Sequence, residues 1–507
     1  MRRPLFYFNF CLRGCVFMRK ETALKQAQPG FMKRFGFYIA LAVLAVIVLL
    51  PTPEGLSAAG HRMIGVMVFS VIVWATTAIS YPVSAGVIMV LIALLVGFAP
   101  NEATGRLYGT SAGLGMALKG FSSTAFCLVA AAMFLAAAMT KTGLDKRIAL
   151  MILSKVGAKA NRVLLGVILC GFILSFFVPS TTARVACLVP IVMGMIKAFG
   201  VPLKSRFAGM LMIDSVWNVG IKTAAAQNMV AVNFISQTLG VDISWLDWFI
   251  AAAPFAVLMS AALYKLMLHI MPPEIDEIAG GQATVTRLLK EMGKISADEL
   301  KLLVISLCLL FFWTTEKVLH SIDTSTSTMV AITLLMLPKI GVMHWNETVN
   351  KINWGTVVLF GVGISLGSAL LSTKAATWLA NQIVSIFALE SSTTLMVLAI
   401  MTVFLIVIHM GFASATGLAS AIIPIIISVL QQLKTPGVNV VGMTMILQYV
   451  VSFGFILPVN APQNMIAYGT DTFEVNDFVK SGIPLTLIAF ALIMLLGATY
   501  WKWMGLV

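Results

Sequence analysis

At 178–191 the chain reads Val-Pro-Ser-Thr-Thr-Ala-Arg-Val-Ala-Cys-Leu-Val-Pro-Ile, and at 412–425 it reads Phe-Ala-Ser-Ala-Thr-Gly-Leu-Ala-Ser-Ala-Ile-Ile-Pro-Ile. Apolar runs flank both copies. The positions that coincide are Ser180 with Ser414, Thr182 with Thr416, Pro190 with Pro424 and Ile191 with Ile425. Paired polar breaks at corresponding positions of two repeats point to the substrate site of a membrane transporter.

Two further matches extend the repeat in the same order. They are Gln227-Asn228-Met229 with Gln463-Asn464-Met465, and Asp247 and Pro254 with Asp477 and Pro484. Three matches in one order and at nearly one spacing predict two halves that are built alike.

The composition is that of an integral membrane protein. Hydrophobic residues make up 59% of the chain and charged residues 11%, against roughly 25% charged in soluble domains. Alternation of the β-barrel type is absent, so the spans are expected to be helices. We predict an all-α fold of about 11 transmembrane helices, near 36–51, 63–79, 83–98, 121–140, 205–239, 245–271, 299–316, 326–341, 353–371, 438–458 and 481–501.

The net charge of +14 is distributed over loops rather than over one polar face, so no nucleic-acid partner is predicted. Lysine and arginine cluster before the first span and after the fourth, and such clusters mark cytoplasmic segments. We therefore expect a cytoplasmic N-terminus and an external C-terminus. Residues 1–35 are a basic cytoplasmic segment without a signal-peptide cleavage site, with Met1, Met18 and Met32 as alternative starts. Residues 144–158 predict an amphipathic helix on the cytoplasmic surface.

Each copy of the polar stretch predicts a re-entrant hairpin. Apolar arms of about 15 residues flank Pro179-Ser180-Thr181-Thr182, which is short for roughly 30 Å of hydrocarbon at 1.5 Å per residue. We predict a hairpin at 160–199 with its tip at mid-membrane, where non-helical backbone must face protein or water. The second half repeats it at 392–431, tipped by Ser414-Ala415-Thr416. An odd number of intervening spans predicts entry from the opposite side.

Each half also predicts a broken helix. The run 205–239 is too long for one straight helix and carries Lys222-Thr223 and Gln227-Asn228 in its middle. Its partner, 438–470, is interrupted where Pro458 and Pro462 remove backbone donors. The predicted division is an N-terminal segment 1–35, a first repeat 36–271, a cytoplasmic linker 272–298 and a second, inverted repeat 299–507.

Four polar breaks that meet at one depth offer hydroxyls, amides and helix N-termini, the groups that bind carboxylates. Arg184 and Lys222 are the basic residues that we place well inside the membrane, where a charge is functional by default; snorkelling or local pairing of Arg184 is the alternative. Asp214 is either a proton relay or a helix-end cap, and His409 is an arm residue near the site. The candidate substrate-binding residues are Ser180, Thr181, Thr182, Arg184, Lys222, Thr223, Gln227, Asn228, Ser414, Ala415, Thr416, Pro462, Gln463 and Asn464.

At these motifs the chain, from about residue 36 to its end, resembles the divalent anion/sodium symporter family, which includes the citrate, succinate and tartrate carriers of bacteria. The resemblance implies a homodimeric transporter of di- or tricarboxylates in the bacterial inner membrane, surrounded by lipid and without a cofactor. It also implies an elevator mechanism. The early spans and those at 245–371 would be the fixed scaffold, while hairpins and broken spans would move.

In that family each tip carries Ser-Asn-Thr, which grips a substrate carboxylate and helps to build a sodium site. Here Thr181 and Ala415 stand where the central asparagines would be, a pattern similar to the citrate/succinate exchanger branch. The resemblance therefore implies sodium-independent exchange of succinate, citrate, tartrate, malate or 2-oxoglutarate. Sodium-coupled symport is the alternative, with a residual sodium site near Ser180, Thr182 and Thr416.

Obligatory exchange has a physical reason in the sequence. A cavity centred on Arg184 and Lys222 would hold uncompensated positive charge without its anion, and binding relieves that cost.

A membrane enzyme and a channel are the two alternative classes of protein. The chain has no His-Glu-x-x-His motif and no Walker lysine loop, so we predict neither an enzyme nor an ATP-driven pump. Paired hairpins closing from opposite sides favour an occluded site over a continuous pore.

Overall fold

A computed structural model describes residues 31–102, 104–217, 220–277 and 281–507. Met1, Met18 and most of the basic segment 1–35 lie outside these residues. The helices of the first half are α1 Phe31–Leu49, α2 Ala58–Thr76, α3 Tyr81–Leu91, α4 Thr110–Leu118, α5 Thr124–Thr142, α6 Leu144–Val156, α7 Ala160–Phe177, α8 Thr181–Ala198, α9 Arg206–Ser215, α10 Ala226–Leu239, α11 Trp245–Ile270 and α12 Gly281–Glu291.

The second half contains eleven further helices. They are α13 Ala297–Thr315, α14 Thr324–Met336, α15 Trp345–Thr348, α16 Trp354–Ser372, α17 Ala375–Ile386, α18 Thr394–His409, α19 Ala415–Gln432, α20 Val440–Val451, α21 Pro462–Tyr468, α22 Val475–Ala498 and α23 Tyr500–Trp503. Within the described ranges the chain is helical and forms no β-strand, which confirms the predicted all-α membrane fold.

Duplicated residues begin the last long helix of each repeat. Asp247 is the third residue of α11 and completes a capping box with Ser244, and Asp477 does the same at the start of α22 with Glu474. Such reciprocal bonds satisfy the backbone N–H groups that a helix start leaves open. The Asp477 carboxylate accepts from the Glu474 N–H at 3.0 Å.

The first hairpin (α7 and α8) and the second hairpin (α18 and α19) are both present. Their arms are longer than predicted: α7, α8 and α19 have 18 residues each, about 27 Å, and are among eight described helices long and apolar enough to cross a membrane. The sequence predicts shorter arms because polar side chains occupy the first turns of these helices. Each hairpin tip is hydrogen-bonded to the interruption of a broken span, as described below.

The two hairpins enter from opposite faces of the protein. The base of the first lies beside the linker, where Ala160 N–H donates to the Asp276 carbonyl at 2.9 Å. The base of the second lies beside α17, where the Gln432 side chain donates to the Thr377 carbonyl at 3.2 Å. The 26 residues of α11, about 39 Å, run from one face to the other. The predicted inversion of the repeats is confirmed.

Three helices lie outside the predicted membrane spans. Residues 99–120 include α4, the linker 272–298 includes α12, and α17 precedes the second hairpin. These helices were missed because none has an apolar run of membrane-spanning length. Helix α4 lies directly on the residues that follow α3, since a Cβ added at Gly113 would come within 2.6 Å of the Ala93 carbonyl oxygen.

The expected surface helix at 144–158 is confirmed as α6, but one side of it is buried. Arg147, expected on a solvated basic side, pairs with Glu299 of α13 at 2.7 Å. Helix α11 packs along α22, and the Tyr500 hydroxyl donates to the Ile250 carbonyl at 2.9 Å. Helix α11 also contacts both the first hairpin arm, α7, and α13.

The assignment of the two faces to cytoplasm and exterior is a prediction that labelling can test. Lys204 lies exposed near the base of the first hairpin, and Lys434 lies exposed just beyond the second. A cysteine placed at Lys434 is expected to react with an impermeant maleimide in intact cells, and one at Lys204 only after permeabilisation. A cysteine at exposed Lys502, after α22, serves as a second external control. The reverse labelling pattern would overturn the orientation.

Candidate substrate-binding site

The first tip (residues 178–182) and the second tip (residues 410–416) have the same backbone geometry. Ser180 caps α8 with φ −151° and ψ 117°, and Ser414 caps α19 with φ −151° and ψ 116°. Their hydroxyl oxygens accept from Ala183 N–H at 3.3 Å and from Gly417 N–H at 3.2 Å. The preceding N–H groups of each helix have no intrahelical acceptor, and such a terminus attracts anions. The sequence repeat is therefore a repeat of two potential carboxylate sites.

The first break (residues 216–225) and the second break (residues 452–461) hold these tips. Thr181 donates its hydroxyl hydrogen to the Ala224 carbonyl at 3.2 Å. On the other side, the Asn460 amide donates to the carbonyls of His409 at 3.0 Å and Phe412 at 3.2 Å. Each hairpin therefore ends against the break of its own repeat.

The duplicated amides stabilise the breaks. Asn228 donates to the Ile221 carbonyl at 2.9 Å, and Asn464 donates to the Gly454 carbonyl at 2.8 Å. The breaks also touch one another, since the Gln227 amide donates to the Ser452 hydroxyl at 3.4 Å. These contacts satisfy backbone carbonyls that the interrupted helices leave open. The structure thus shows Asn228 and Asn464 engaged with protein rather than open to a ligand.

A cavity of about 540 Å³, here named the tip cavity, reaches the first tip. Thr182, Ala186 and Pro190, four residues apart along one face of α8, line one wall together with Ser180. Residues of α5 and the start of α16 form the opposite wall. Its volume is within the range of small-molecule sites, roughly 300–1,000 Å³.

The mouth of the tip cavity is basic. Lys146 and Lys351 line it with exposed side chains, on the same face as the base of the first hairpin. Asp145 also lines it, but its carboxylate is 4% exposed and accepts from Lys146 N–H at 2.7 Å. Exposed positive charge at the entrance of a cleft attracts anions. Chemically, the tip cavity offers hydroxyls and a helix N-terminus to an anion that enters past lysines.

The second tip lies outside this cavity. Ser414, Ala415 and Thr416 have exposures of 4%, 8% and 9%, similar to the 8% of Ser180, but none of them lines the tip cavity. The Trp74 ring packs on the start of their helix, because a Cβ added at Gly417 would lie 3.1 Å from that ring. The expectation that both tips share one open cavity is therefore not met in this conformation.

Lys222 does not point towards the tip cavity, contrary to the expectation that it shares one site with Arg184. Its ammonium donates to the Ile243 carbonyl at 2.7 Å and to the Thr324 hydroxyl at 3.3 Å, and Thr324 donates to Glu316 at 2.7 Å. It lines a separate cavity of about 850 Å³, together with Asp242 and Glu316. The sequence could not show this, because Thr324, at the start of α14, and Glu316 lie about a hundred residues further along the chain.

The remaining candidates are dispersed. Arg184 is fully buried on α8 and lines none of these cavities. The Thr223 hydroxyl accepts from the Trp245 indole N–H at 3.1 Å. Pro462 begins α21, and Gln463 lines a small cavity of about 40 Å³ between the two breaks. The structure therefore brings Ser180 and Thr182 together at an open cavity, and places the others in the supporting framework.

Two features escaped the reading of the sequence. Asn460 holds the second tip, and the Pro-Val-Asn turn inside the predicted break was the available signal.

The other feature is Gly363-Ile-Ser365-Leu-Gly367, which matches the spacing of a hydrolase nucleophile motif. Ser365 lies buried inside α16, donates to the Gly361 carbonyl at 3.1 Å and accepts from Gly120 N–H at 2.9 Å. It forms a helix contact and no strand-to-helix elbow.

The tips offer few side-chain oxygens to a sodium ion. The Thr181 hydroxyl is engaged with Ala224, and Ala415 has no side-chain oxygen. Thr416 does not line the cavity that Ser180 and Thr182 share, so the three residues do not form one ligand set there. Sodium requires several oxygen ligands around one point, and the described side chains of Thr181, Ala415 and Thr416 do not converge on the tip cavity.

Inverted helical repeats, each with a hairpin and a broken span that surround buried polar tips, define a membrane transporter. The sequence profile described as the sodium:sulfate symporter transmembrane region matches residues 32–507. The chain belongs to this family, the divalent anion/sodium symporters, as its motifs predicted. Members are transporters and not enzymes.

Relatives of known sequence support this assignment. A membrane protein of Cupriavidus necator is 52% identical over 94% of each chain. The sodium-dependent dicarboxylate transporter SdcS of Staphylococcus saprophyticus is 25% identical over 91% of this chain and 90% of that one. The L-tartrate/succinate antiporter of Escherichia coli is 27% identical over 91% and 96%.

The fold also resembles a solved structure, the Alcanivorax borkumensis YdaH transporter. The TM-score is 0.53 at 13% identity, covering 83% of this chain and 98% of that one. At this identity the likeness concerns the fold alone.

Proposed function

We propose that this chain exchanges di- or tricarboxylate anions across a bacterial inner membrane without sodium. The observation that carries the proposal is the tip cavity, where Ser180, Thr182 and the N-terminus of α8 face an anion-sized space. These donors suit a carboxylate, because hydroxyls and helix N-terminal amides hydrogen-bond its oxygens. The names of relatives that carry dicarboxylates, or exchange tartrate for succinate, support the same substrate class.

Exchange is favoured over symport by the residues at the tips. Thr181 and Ala415 supply no amide oxygens, so a cation site is poorly provided for. Lys222 is engaged with Thr324 and is removed from the charge balance that the sequence suggested. The anion's charge is then met by helix N-termini within the cavity and by Lys146 and Lys351 at its mouth.

Transport follows from alternating exposure of the two tips. The tip cavity reaches the first tip from the face of Lys146, while Trp74 packs on the helix of the second. A carrier that exposes its site to each side in turn moves substrate without opening a pore. We propose that hairpins, broken spans, α11 and α22 move as one body against α1–α5 and α13–α16, in each protomer of a homodimer. The bonds between breaks and tips, such as Thr181 to Ala224, keep that body intact.

Uptake by proteoliposomes tests the proposal. Vesicles that hold unlabelled succinate are expected to take up labelled external succinate equally well when sodium is replaced by choline or potassium. Vesicles without an internal anion are expected to take up none, because the empty carrier does not complete the cycle. Protein-free vesicles are the control. Uptake that collapses without sodium indicates the symporter, and uptake without an internal anion contradicts exchange.

A further inference from the structure

Asp214 is a buried acid that the proposed exchange does not use. It is the penultimate residue of α9, directly before the first break, and its side chain is 1% exposed. Neither carboxyl oxygen has a hydrogen-bond partner. The alternative of a capping role is therefore excluded, because a cap accepts N–H groups at a helix start.

The surroundings of Asp214 favour the protonated acid. An isolated carboxylate is very costly to bury, and the negative end of the helix dipole adds to that cost. None of the titratable groups on the helices packed against α9 is bonded to its carboxyl group. These groups are Arg162 and Cys170 on α7, Arg184, Cys187 and Lys197 on α8, and Tyr468 on α21. Burial without a partner therefore favours the protonated form of Asp214 over the carboxylate.

A small cavity lies beside the end of the Asp214 helix. Ile213, Val216 and Trp217, the neighbours of Asp214, line this cavity of about 40 Å³ between the two breaks, together with Gln463 and Asn464. A polar space larger than about 10–15 Å³ accommodates a water molecule. The backbone on one side of Asp214 is also non-helical, so a change in the packing of the two breaks alters its access to water.

We propose that Asp214 is a proton-binding site of the carrier, which holds its proton in this conformation and exchanges it with water on either face when the breaks rearrange. Binding converts the carboxylate and one proton into the neutral acid, so each site contributes one positive charge to the transport cycle. The proton thus takes the role of co-ion that the tips do not provide for sodium. This inference rests on the proposed exchange function and deepens it.

The test follows anion and proton together. Vesicles contain tartrate and a pH-sensitive dye, and labelled tartrate is added outside at lower pH; both carboxyl groups of tartrate stay ionised near neutrality. The wild-type protein is expected to acidify the interior as exchange proceeds. Asp214→Asn is expected to exchange tartrate with at least tenfold less proton entry per anion. The exchange rate of the wild-type protein is expected to fall as pH rises, and that of the variant is expected to stay constant. Glu347→Gln, a matched change at an exposed carboxylate, is expected to behave as wild type.

The outcomes separate the two proposals. Absence of tartrate and succinate exchange by the wild-type protein overturns the proposed function. Exchange by the wild-type protein without proton entry overturns the Asp214 site and leaves exchange standing. Wild-type proton entry in Asp214→Asn also overturns the site. If the asparagine variant does not fold, Asp214→Ser is measured in its place, and the wild-type dye signal alone remains able to refute the inference.

Discussion

Thr182→Val is expected to raise the succinate concentration for half-maximal exchange about tenfold to a hundredfold. Thr182 lines the tip cavity, and its hydroxyl makes no hydrogen bond to the described residues, so it is available to a ligand. A hydrogen bond to a charged group contributes about 1.5–3 kcal/mol, and each 1.4 kcal/mol is a factor of ten in affinity. Valine keeps the shape of the side chain and removes only the donor. The measurement is the concentration dependence of exchange in proteoliposomes.

The control is Thr333→Val on α14, where the exposed threonine hydroxyl donates to the Met329 carbonyl of its own helix. Its succinate dependence is expected to match wild type. Thr416→Ala is also expected to raise the apparent substrate constant, provided that the second tip becomes accessible during transport. Unchanged transport in alanine variants of Ser180, Thr182, Ser414 and Thr416 would contradict the proposed site. Because Ser180 and Ser414 also cap helices, protein yield must be compared for those two.

Arg147→Leu is expected to cause the largest loss of stability, about 3–5 kcal/mol, because it leaves a buried carboxylate without its partner. Arg147 binds Glu299 through two nitrogens, at 2.7 and 3.2 Å, and donates to the Gly293 carbonyl at 3.0 Å. These bonds join α6, the linker and α13 at the base of the first hairpin. The measurement is the midpoint of thermal unfolding in detergent, followed by size-exclusion chromatography with fluorescence detection.

Two variants serve as controls for this prediction. Arg147→Leu combined with Glu299→Gln is expected to recover part of the loss, because the stranded charge is removed and glutamine still completes the helix cap with Ser296. Glu347→Gln breaks the exposed pair with Lys141 and is expected to leave the midpoint nearly unchanged. An Arg147→Leu midpoint equal to wild type would show that the pair does not hold this base together.

Much of the architecture is local and was readable from the residues. The tips at Ser180 and Ser414 lie in the predicted hairpins because Ser-x-x sequences cap helices and apolar runs set helix length. Two prolines predicted the second break. The run 205–239, which is too long for one straight helix, predicted the first. Inversion of the repeats followed from counting spans, since each span reverses the direction of the chain.

The tertiary structure decided which of these polar groups meet. Lys222 was expected to bind substrate with Arg184, but Thr324 and Glu316, about a hundred residues further along the chain, hold its ammonium elsewhere. Asn460, which had no place among the candidates, holds the second tip. The direction of a long side chain depends on partners distant in sequence, and the exposure of a tip depends on which bodies pack over it. The sequence pattern therefore predicted where the chain breaks, while packing between distant helices left the tip cavity beside the first tip and not the second.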